Sequence, residues 1–173
     1  MAPTAFSMTA FEESLGAAIA AMASGINVQW AEQDEALRPL PRAELGWLSW
    51  PRTGLPEVRP LDGGADGEYI ALEQIVATLQ IDIFAAKNRG SDGAMGLADD
   101  LSATLTTEAA QDALAALGLA VVDISPARNV AELIGARFEG RAVIELQLGL
   151  AKGQTQQLSW VESAETIGTY SGG

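Results

Sequence analysis

The sequence of 173 residues contains no cysteine and no histidine. The absence of cysteine excludes disulfide bonds, thiolate nucleophiles and zinc–thiolate sites, and it leaves the redox compartment open. The absence of histidine removes the commonest general base and the commonest transition-metal ligand. The chain therefore lacks the residues on which much enzyme chemistry depends.

Basic residues are also scarce, since 10 Lys and Arg stand against 23 Asp and Glu and give a formal net charge of −13. Because phosphates of nucleic acids and anionic lipids repel such a chain, we expect it to bind neither free DNA nor a membrane. No apolar run approaches the roughly 18–20 residues that span a bilayer. The opening MAPTAFSMTAF lacks the basic start of a signal peptide.

Hydrophobic residues are abundant, at 48% of the chain, which argues against disorder. The length suits one domain with a sizeable core, so we expect a single domain over residues 1–173 with a flexible leader at residues 1–7.

Two stretches alternate apolar and polar residues with the period of a strand. In residues 74–84 (QIVATLQIDIF) one face holds Ile75, Ala77, Leu79, Ile81 and Ile83. Residues 141–150 repeat the design, with Ala142, Ile144, Leu146, Leu148 and Leu150 on one face. Two long strands with one dry face each predict neighbours in a mostly antiparallel sheet that helices cover on one side.

The remaining patterns complete an α+β domain with an N-terminal helix and a later helix pair. Ser7 or Thr9 is expected to cap a helix that runs to about Ser24. A further helix pair is predicted over residues 93–106 and 108–117. Strands are predicted at 27–30, 45–50, 68–84, 119–124, 141–150 and 158–170, and the strand 68–84 is expected to contain a bulge or a break near 72–74. A connection is predicted at 31–44, a long loop at 52–67 and a hairpin turn at Gly153 and Gln154.

Three motifs suggest chemistry only weakly. Residues 62–73 place Asp62, Asp66, Gly67 and Glu73 as in a calcium loop, but the third position is a glycine and the flanks are not helices. The glycine-rich 90–96 has neither the spacing nor the lysine of a phosphate loop. Adjacent carboxylates on a helix diverge, so they form no shared-proton pair. We therefore expect that the protein is not an enzyme and that it has no cofactor and no metal site.

Two tryptophans, Trp47 and Trp50, lie in the strand predicted at 45–50. Residues i and i+3 of a regular strand point to opposite faces, so at most one of them enters the local core. The other is an interface candidate, since tryptophan is favoured at interface centres. The alternative is that both are core or hairpin-edge residues.

From residue 74 onward the order and spacing of the elements resemble those of the tail terminator (tail completion or neck terminator) proteins of long-tailed bacteriophages. The resemblance rests on the strand 74–84, the helix pair with Leu97, Leu101 and Leu105, the strand in residues 118–124, the segment 137–142 that leads into 143–150, and Trp160-Val161-Glu162. It covers most of residues 9–170, while residues 31–67 match nothing in it.

The resemblance implies a non-enzymatic virion protein at the neck between head and tail, assembled in the host cytoplasm. It implies a ring, usually a hexamer of this chain, that caps the tail tube, stops its polymerisation and joins the head–tail connector protein. The tail tube protein and the connector are the expected partners, a sheath protein a further one, and DNA passes only as cargo.

With this resemblance, two sets of residues become candidates. Subunit or partner contacts are expected at Trp47, Trp50, Arg52, Leu55, Arg59, Asp62, Arg128, Arg137 and Arg141, with 52–67 as a partner-facing loop. The arginines pair with carboxylates either across that interface or within the chain. A wet channel or a neighbour is expected at Gln80, Asp82, Glu145 and Gln147.

Two other interpretations stay open at this point. One is another tail-tube or head–tail joining protein, which predicts open polymers or twelvefold rings. The other is an α+β ligand-binding domain or enzyme, which predicts a deep pocket with a perturbed carboxylate.

Overall fold

The computed structural model describes residues 7–31, 38–50, 57–60, 68–130, 132–134 and 137–157. Within them the chain forms three helices and eight strands in an α+β order. The elements are α1 (Met8–Met22), β1 (Asn27–Trp30), β2 (Arg42–Ser49), β3 (Glu57–Pro60), β4 (Glu68–Ala85), α2 (Ala94–Leu105), α3 (Glu108–Ala115), β5 (Leu119–Ile124), β6 (Arg128–Asn129), β7 (Glu132–Ile134) and β8 (Arg137–Gln157).

The strands form one mostly antiparallel sheet in the order β1-β2-β4-β8-β5. Among the described strands, only β1 and β2 run parallel. The short strand β3 pairs with β4, while β6 and β7 pair with β8. The α+β class and the mostly antiparallel sheet predicted from the sequence are confirmed.

Strands β4 and β8 form the long axis of the sheet. Their register is unbroken from Glu68 opposite Gln157 to Ala85 opposite Gly140. At about 3.4 Å per residue, the 18 residues of β4 span roughly 60 Å. The predicted bulge or break near 72–74 and the predicted turn at Gly153 and Gln154 are therefore wrong. Pairing with β4 supplies hydrogen bonds to the glycine-containing segment and keeps it extended.

One face of this strand pair forms the core, as the alternation predicts. Ile81 and Ile83 of β4 and Ile144 and Leu146 of β8 are fully buried. Leu15 and Ile19 of α1, Leu101 and Leu105 of α2, and Leu114 of α3 belong to the same cluster. Each fully buried side chain of this size stabilises the fold by about 1.5–3 kcal/mol, so this contact holds the helix layer on the sheet.

The helix ends agree with their capping residues. The Ser7 hydroxyl accepts a hydrogen bond from the Ala10 amide at the start of α1. The Thr107 hydroxyl does the same for the Ala110 amide of α3. Each cap satisfies one of the amides that a helix start leaves without an intrahelical partner. The predicted helix pair is present, with ends within two residues of those expected.

Two segments differ from the sequence-based expectation. Strand β2 begins at Arg42 instead of residue 45, because 42–44 pair with Phe84, Ile83 and Asp82 of β4. The segment 52–67, predicted as a loop, contains β3, which pairs with β4 from Glu57 opposite Leu72 to Pro60 opposite Tyr69. In both places an edge of β4 provides hydrogen-bond partners that local composition does not reveal. The leader up to residue 6 and the strand predicted at 158–170 lie outside the described residues.

The glycine-rich connection from β4 to α2 is closely packed. A Cβ at Gly140 would lie 2.3 Å from the Lys87 carbonyl oxygen, so β8 passes this turn only because residue 140 is glycine. The Ala94 amide donates to the Lys87 carbonyl and the Met95 amide to the Asn88 carbonyl. These amides at the start of α2 are thus already engaged within the chain.

Candidate functional site

The face of the sheet opposite the helices is the candidate surface, and we refer to it as the polar face. The three helices pack against one another over the dry face, and no described helix covers the other one. Gln80 and Asp82 of β4 and Glu145 and Gln147 of β8 lie on the polar face, with Gln80 directly opposite Glu145. The four predicted channel residues are thus brought together, while their facing a channel stays a prediction.

Arginine, phenylalanine and arginine form a row across three strands of the polar face. Arg42 of β2, Phe84 of β4 and Arg141 of β8 are direct neighbours in register. The guanidinium carbons lie 4.4 Å (Arg42) and 5.5 Å (Arg141) from the centre of the Phe84 ring. Because cations are attracted to ring faces, the two arginines cover this ring and leave Phe84 only 6% exposed.

Carboxylates surround both arginines of this row. Arg42 contacts Glu44 at 3.0 Å and Glu139 at 3.4 Å. Arg141 contacts Asp82 at 2.9 Å, and the Gln80 side-chain amide donates to the same carboxyl group at 2.6 Å. The low exposure of the Arg42 and Asp82 side chains, 9% and 14%, makes these contacts stronger than exposed ion pairs.

A further ion pair lies beside this row. Arg128, on β6, contacts Glu145, whose backbone amide donates to the Ser125 hydroxyl at 2.8 Å. Arg128 and Arg141 thus have carboxylate partners within their own chain, which is the alternative that the sequence left open beside pairing across an interface. A role of either arginine in subunit contacts stays a prediction.

The two predicted interface tryptophans lie together on the helix side of the sheet. Their ring centres are 4.7 Å apart in an edge-to-face arrangement, and Phe11 and Trp30 complete an aromatic cluster. A register shift in β2 between Trp47 and Ser49 inserts Leu48 as an extra residue. The expectation that the tryptophans face opposite sides is therefore wrong, because the bulge resets the alternation.

The aromatic cluster is anchored to α1 and remains partly exposed. The Trp47 indole N–H donates to the Glu12 carboxylate, and the Trp30 indole N–H donates to the Glu12 carbonyl, both at 3.1 Å. Leu48 beside the cluster is 53% exposed. Half-buried aromatic side chains next to an exposed leucine are suited to contact with another protein.

Charge is distributed unequally over the two sides of the molecule. The three helices contain no lysine or arginine. Their acidic residues are Glu12, Glu13, Asp99, Asp100, Glu108 and Asp112. On the polar face Arg42, Arg128 and Arg141 offset most of the charge of the neighbouring carboxylates. The helix layer therefore carries much of the negative excess of the chain.

A shallow apolar groove lies where α3 ends and β5 begins. Its volume is about 410 Å³. The lining residues come from β4 (Gln74, Ile75, Val76), from the end of α3 and the start of β5 (Ala115, Gly118, Leu119, Ala120) and from β8 (Gly149, Leu150, Ala151). No acidic or basic side chain is among them, so the groove suits apolar side chains rather than a charged ligand.

The glycine-rich segment considered as a phosphate loop is closed by its own contacts. Lys87 and Asp92 lie 2.7 Å apart. The hydrogen bond from Lys87 lowers the pKa of the Asp92 carboxyl from its ordinary value of 3.8, and a backbone hydrogen bond lowers it further. The Asp92 carboxylate is therefore ionised at neutral pH and engages Lys87, so this lysine already has an anionic partner within the chain.

Several predicted site residues fall wholly or partly outside the described structure. Arg52, Leu55 and Asp62 lie outside the described residues, as does the first half of the calcium-like loop, residues 62–67. Arg59 lies on β3 opposite Ile70, and Arg137 on β8 opposite Ile134. Among the described residues, no group of three or more acidic side chains is placed to hold a metal ion. No described helix is long and apolar enough to cross a membrane.

Sequence reasoning missed two members of the polar face, Arg42 and Glu44, and did not name Phe84 as a site residue. The alternation of residues 74–84 does place Phe84 on this face. Arg42 and Glu44 lie in the predicted connection 31–44, and only the pairing of β2 with β4 brings them beside Phe84 and Asp82. An arginine and a glutamate two residues apart indicate a shared sheet face only once their segment is known to be a strand.

The fold and its surfaces define a class of protein. The chain has an α+β fold with a helix-covered sheet, and its described surface includes a polar face, an aromatic cluster and a shallow groove. The family model described as phage neck terminator protein matches residues 9–173, and the chain belongs to this family. No curated protein matches the chain.

Family membership places the protein in the virion, at the neck between head and tail. The family consists of structural neck proteins and not of enzymes, and its role is in tail completion and the head–tail junction. Its members act beside other tail and head–tail proteins. The resemblance stated from the sequence is thereby confirmed.

Proposed function

We propose that six copies of this chain form a ring that caps the tail tube, stops its polymerisation and joins it to the head–tail connector. DNA passes through the centre of the ring. The ring assembles in the host cytoplasm, and a sheath protein is a further partner where the tail has one. The family role in tail completion supports this proposal.

The ion-paired polar face is the observation that carries the proposal. A channel wall for DNA must stay wet and must not hold phosphates, because retained phosphates would stop the passage. Arg42, Arg128 and Arg141 each contact a carboxylate of their own chain. Phosphates that pass this face meet guanidinium groups whose charge is already balanced, so the DNA moves past without being bound.

The acidic helix layer fits the outer side of such a ring. With the polar face inward, the helices lie on the opposite side of the sheet and present their carboxylates outward. Like charges on the outer walls keep separate rings apart in solution. The same charges repel the phosphates of free nucleic acid, so DNA reaches the ring only through the head–tail passage.

The aromatic cluster and the segment that follows it are the proposed partner-facing region. Trp47 and Trp50 lead directly into residues 52–67, which include Arg52, Leu55, Arg59 and Asp62. Half-buried tryptophans form strong contacts when a partner completes their burial. We assign this region to the tube, the connector or the adjacent subunit of the ring.

The decisive experiment measures the assembly of purified protein. Light scattering on the major peak, with negative-stain images of the same peak, gives the mass and the shape. We expect annular particles of six protomers, each of 18.0 kDa. Where protomers are isolated, purified tail tubes are added, and the protein is expected at the tube ends.

A matched assembly reaction without the protein provides the control. Tubes assembled with it should have a fixed length, and tubes assembled without it should continue to grow. Twelvefold rings or open polymers would contradict the cap and favour another joining or tube protein. Protomers that neither bind tube ends nor change tube length would overturn the proposal.

A further inference from the structure

The outer edge of β8 is paired with β5 up to Leu150 and with no described strand beyond it. Strand β5 pairs with β8 from Leu119 opposite Leu150 to Ile124 opposite Leu146. Residues 151–157 of β8 pair with β4 on one side, and no described strand pairs with them on the other. An extended edge of this length is a template for one more strand.

The edge of β5 differs from this one. Its register shifts between Val121 and Asp123, which places Val122 as an extra residue in the strand. A bulge and an acidic side chain are features that prevent a further strand from adding to a sheet edge. Of these two edges on the same side of the sheet, the edge of β8 is the one suited to strand addition.

The apolar groove lies at the inner end of this same edge. Leu119 and Leu150, the last pair of the β5–β8 ladder, line it together with Gly118 and Ala115. A strand added along residues 151–157 would continue the line of β5 and bring a side chain over the groove. Hydrogen bonds along an edge together with a side-chain pocket are the two elements of binding by strand addition.

We propose that residues 158–170 of a neighbouring copy occupy this edge and that one of their apolar side chains fills the groove. The segment reads LSWVESAETIGTY and contains Leu158, Trp160, Ile167 and Tyr170. This inference rests on the proposed ring, since it names the segment that links one subunit to the next. A head-to-tail contact of this kind closes a ring when the rotation permits.

Local sequence favours a neighbour over the same chain. To reach its own edge, the segment would have to reverse direction directly after Gln157. Between Thr155 and Ile167 there is no glycine, proline, asparagine or aspartate, and the only residues there that favour tight turns are Ser159 and Ser163. The groove also lies about 20 Å back along β8 from Gln157, at roughly 3.3 Å per residue. A continuation in the direction of β8 would lead away from its own groove and towards another copy.

Cysteine cross-linking tests this inference directly, because the natural chain contains no cysteine. Ala151→Cys, at the exposed start of the edge, is combined in turn with Ser159→Cys, Ala164→Cys and Gly168→Cys. We expect one combination to give, on mild oxidation, a ladder of multiples of 18.0 kDa on a non-reducing gel. Pairing the same three positions with Ala109→Cys, exposed on α3, provides the control and should give no ladder.

The groove is tested by a second substitution. Ala115→Arg places a long charged side chain in the groove and should reduce the yield of the ladder several-fold. Its melting temperature should stay near that of the parent, because Ala115 is exposed. Ladder formation that is unaffected by this substitution would overturn the groove contact.

The cross-linking outcomes separate this inference from the ring itself. A cross-linked product that stays at the mass of one chain shows that the segment covers its own edge, and it overturns the inference. Rings that form under reducing conditions but give no ladder with any pair also overturn it, while the ring stands. Protomers without ring or ladder, at all concentrations and on tube ends, overturn both.

Discussion

The two faces of the β4–β8 strand pair share the same backbone hydrogen bonds but differ in the burial and charge of their side chains. On one face Ile81, Ile144 and Leu146 pack against helices and are fully buried. On the other, one residue away along the same strands, Asp82 and Glu145 hold arginines. Since the backbone is common to both, the side chains alone decide which face stabilises the fold and which remains for contact.

The comparison teaches that a polar sheet face can be ordered without being a core. Arg42 is 7% exposed although no described helix covers it, because Phe84, Glu44 and Glu139 surround it. Such a face keeps its shape through ion pairs and ring contacts. It offers a preformed surface whose charges need no rearrangement when another molecule approaches.

The largest difference in unfolding free energy between the two faces is expected when two neighbouring residues of β8 are each truncated to alanine. Leu146→Ala removes a fully buried side chain from the core and should lower the free energy of unfolding by about 2–5 kcal/mol. Gln147→Ala, on the polar face, should change it by less than about 0.5 kcal/mol. Urea unfolding at one fixed protomer concentration measures both values. Equal losses would contradict the assignment of the faces.

An intermediate effect is expected from the arginines of the polar face. Arg141→Ala leaves the Asp82 carboxylate, 14% exposed, with the Gln80 amide, and should cost about 1–3 kcal/mol of unfolding free energy. Arg128→Ala breaks a pair whose arginine is 60% exposed, and this change should cost less than about 1 kcal/mol. The same unfolding series decides the order. A larger loss from Arg128→Ala would show that burial does not set the strength of these pairs.

The smallest effect is expected in DNA binding. Glu145→Gln releases Arg128 from its carboxylate, so the protein should gain weak, salt-dependent affinity for duplex DNA, with a salt slope steeper by about one unit. Glu108→Gln makes the same charge change on the helix layer without releasing an arginine. Fluorescence anisotropy at several low salt concentrations measures the DNA affinity of both variants and its salt dependence. Equal gains would show that net charge, and not the ion pairing of the polar face, keeps DNA from binding.

The sequence predicts the faces of these strands well and their extent poorly. Period-2 alternation identifies the apolar face, which holds every second residue from Ile75 to Ile83 and from Ala142 to Leu150. This works because the pattern of buried and exposed positions is visible within each strand alone. It did not reveal that β4 and β8 pair up to Glu68 and Gln157. Gly153 and Gln154 carry the composition of a turn, and only the partner strand keeps them extended.

The surface was predictable where residues act within one strand. Gln80, Asp82, Glu145 and Gln147 share a face because of spacing alone. The row of Arg42, Phe84 and Arg141 required the register of three strands, which no local pattern contains. The meeting of Trp47 and Trp50 depended on one extra residue in β2, since a bulge changes the face of everything that follows it.

The positions of β4 and β8 in the chain also determine when their pairing can form during synthesis. Strand β4 leaves the ribosome before α2, α3 and β5, and its partner β8 follows all of them. The dry face of β4 must therefore wait for residues up to Gln157 before the central pairing is complete. Because pairing between residues this far apart in the sequence is slow, we expect closure of the central sheet to be a late step in folding.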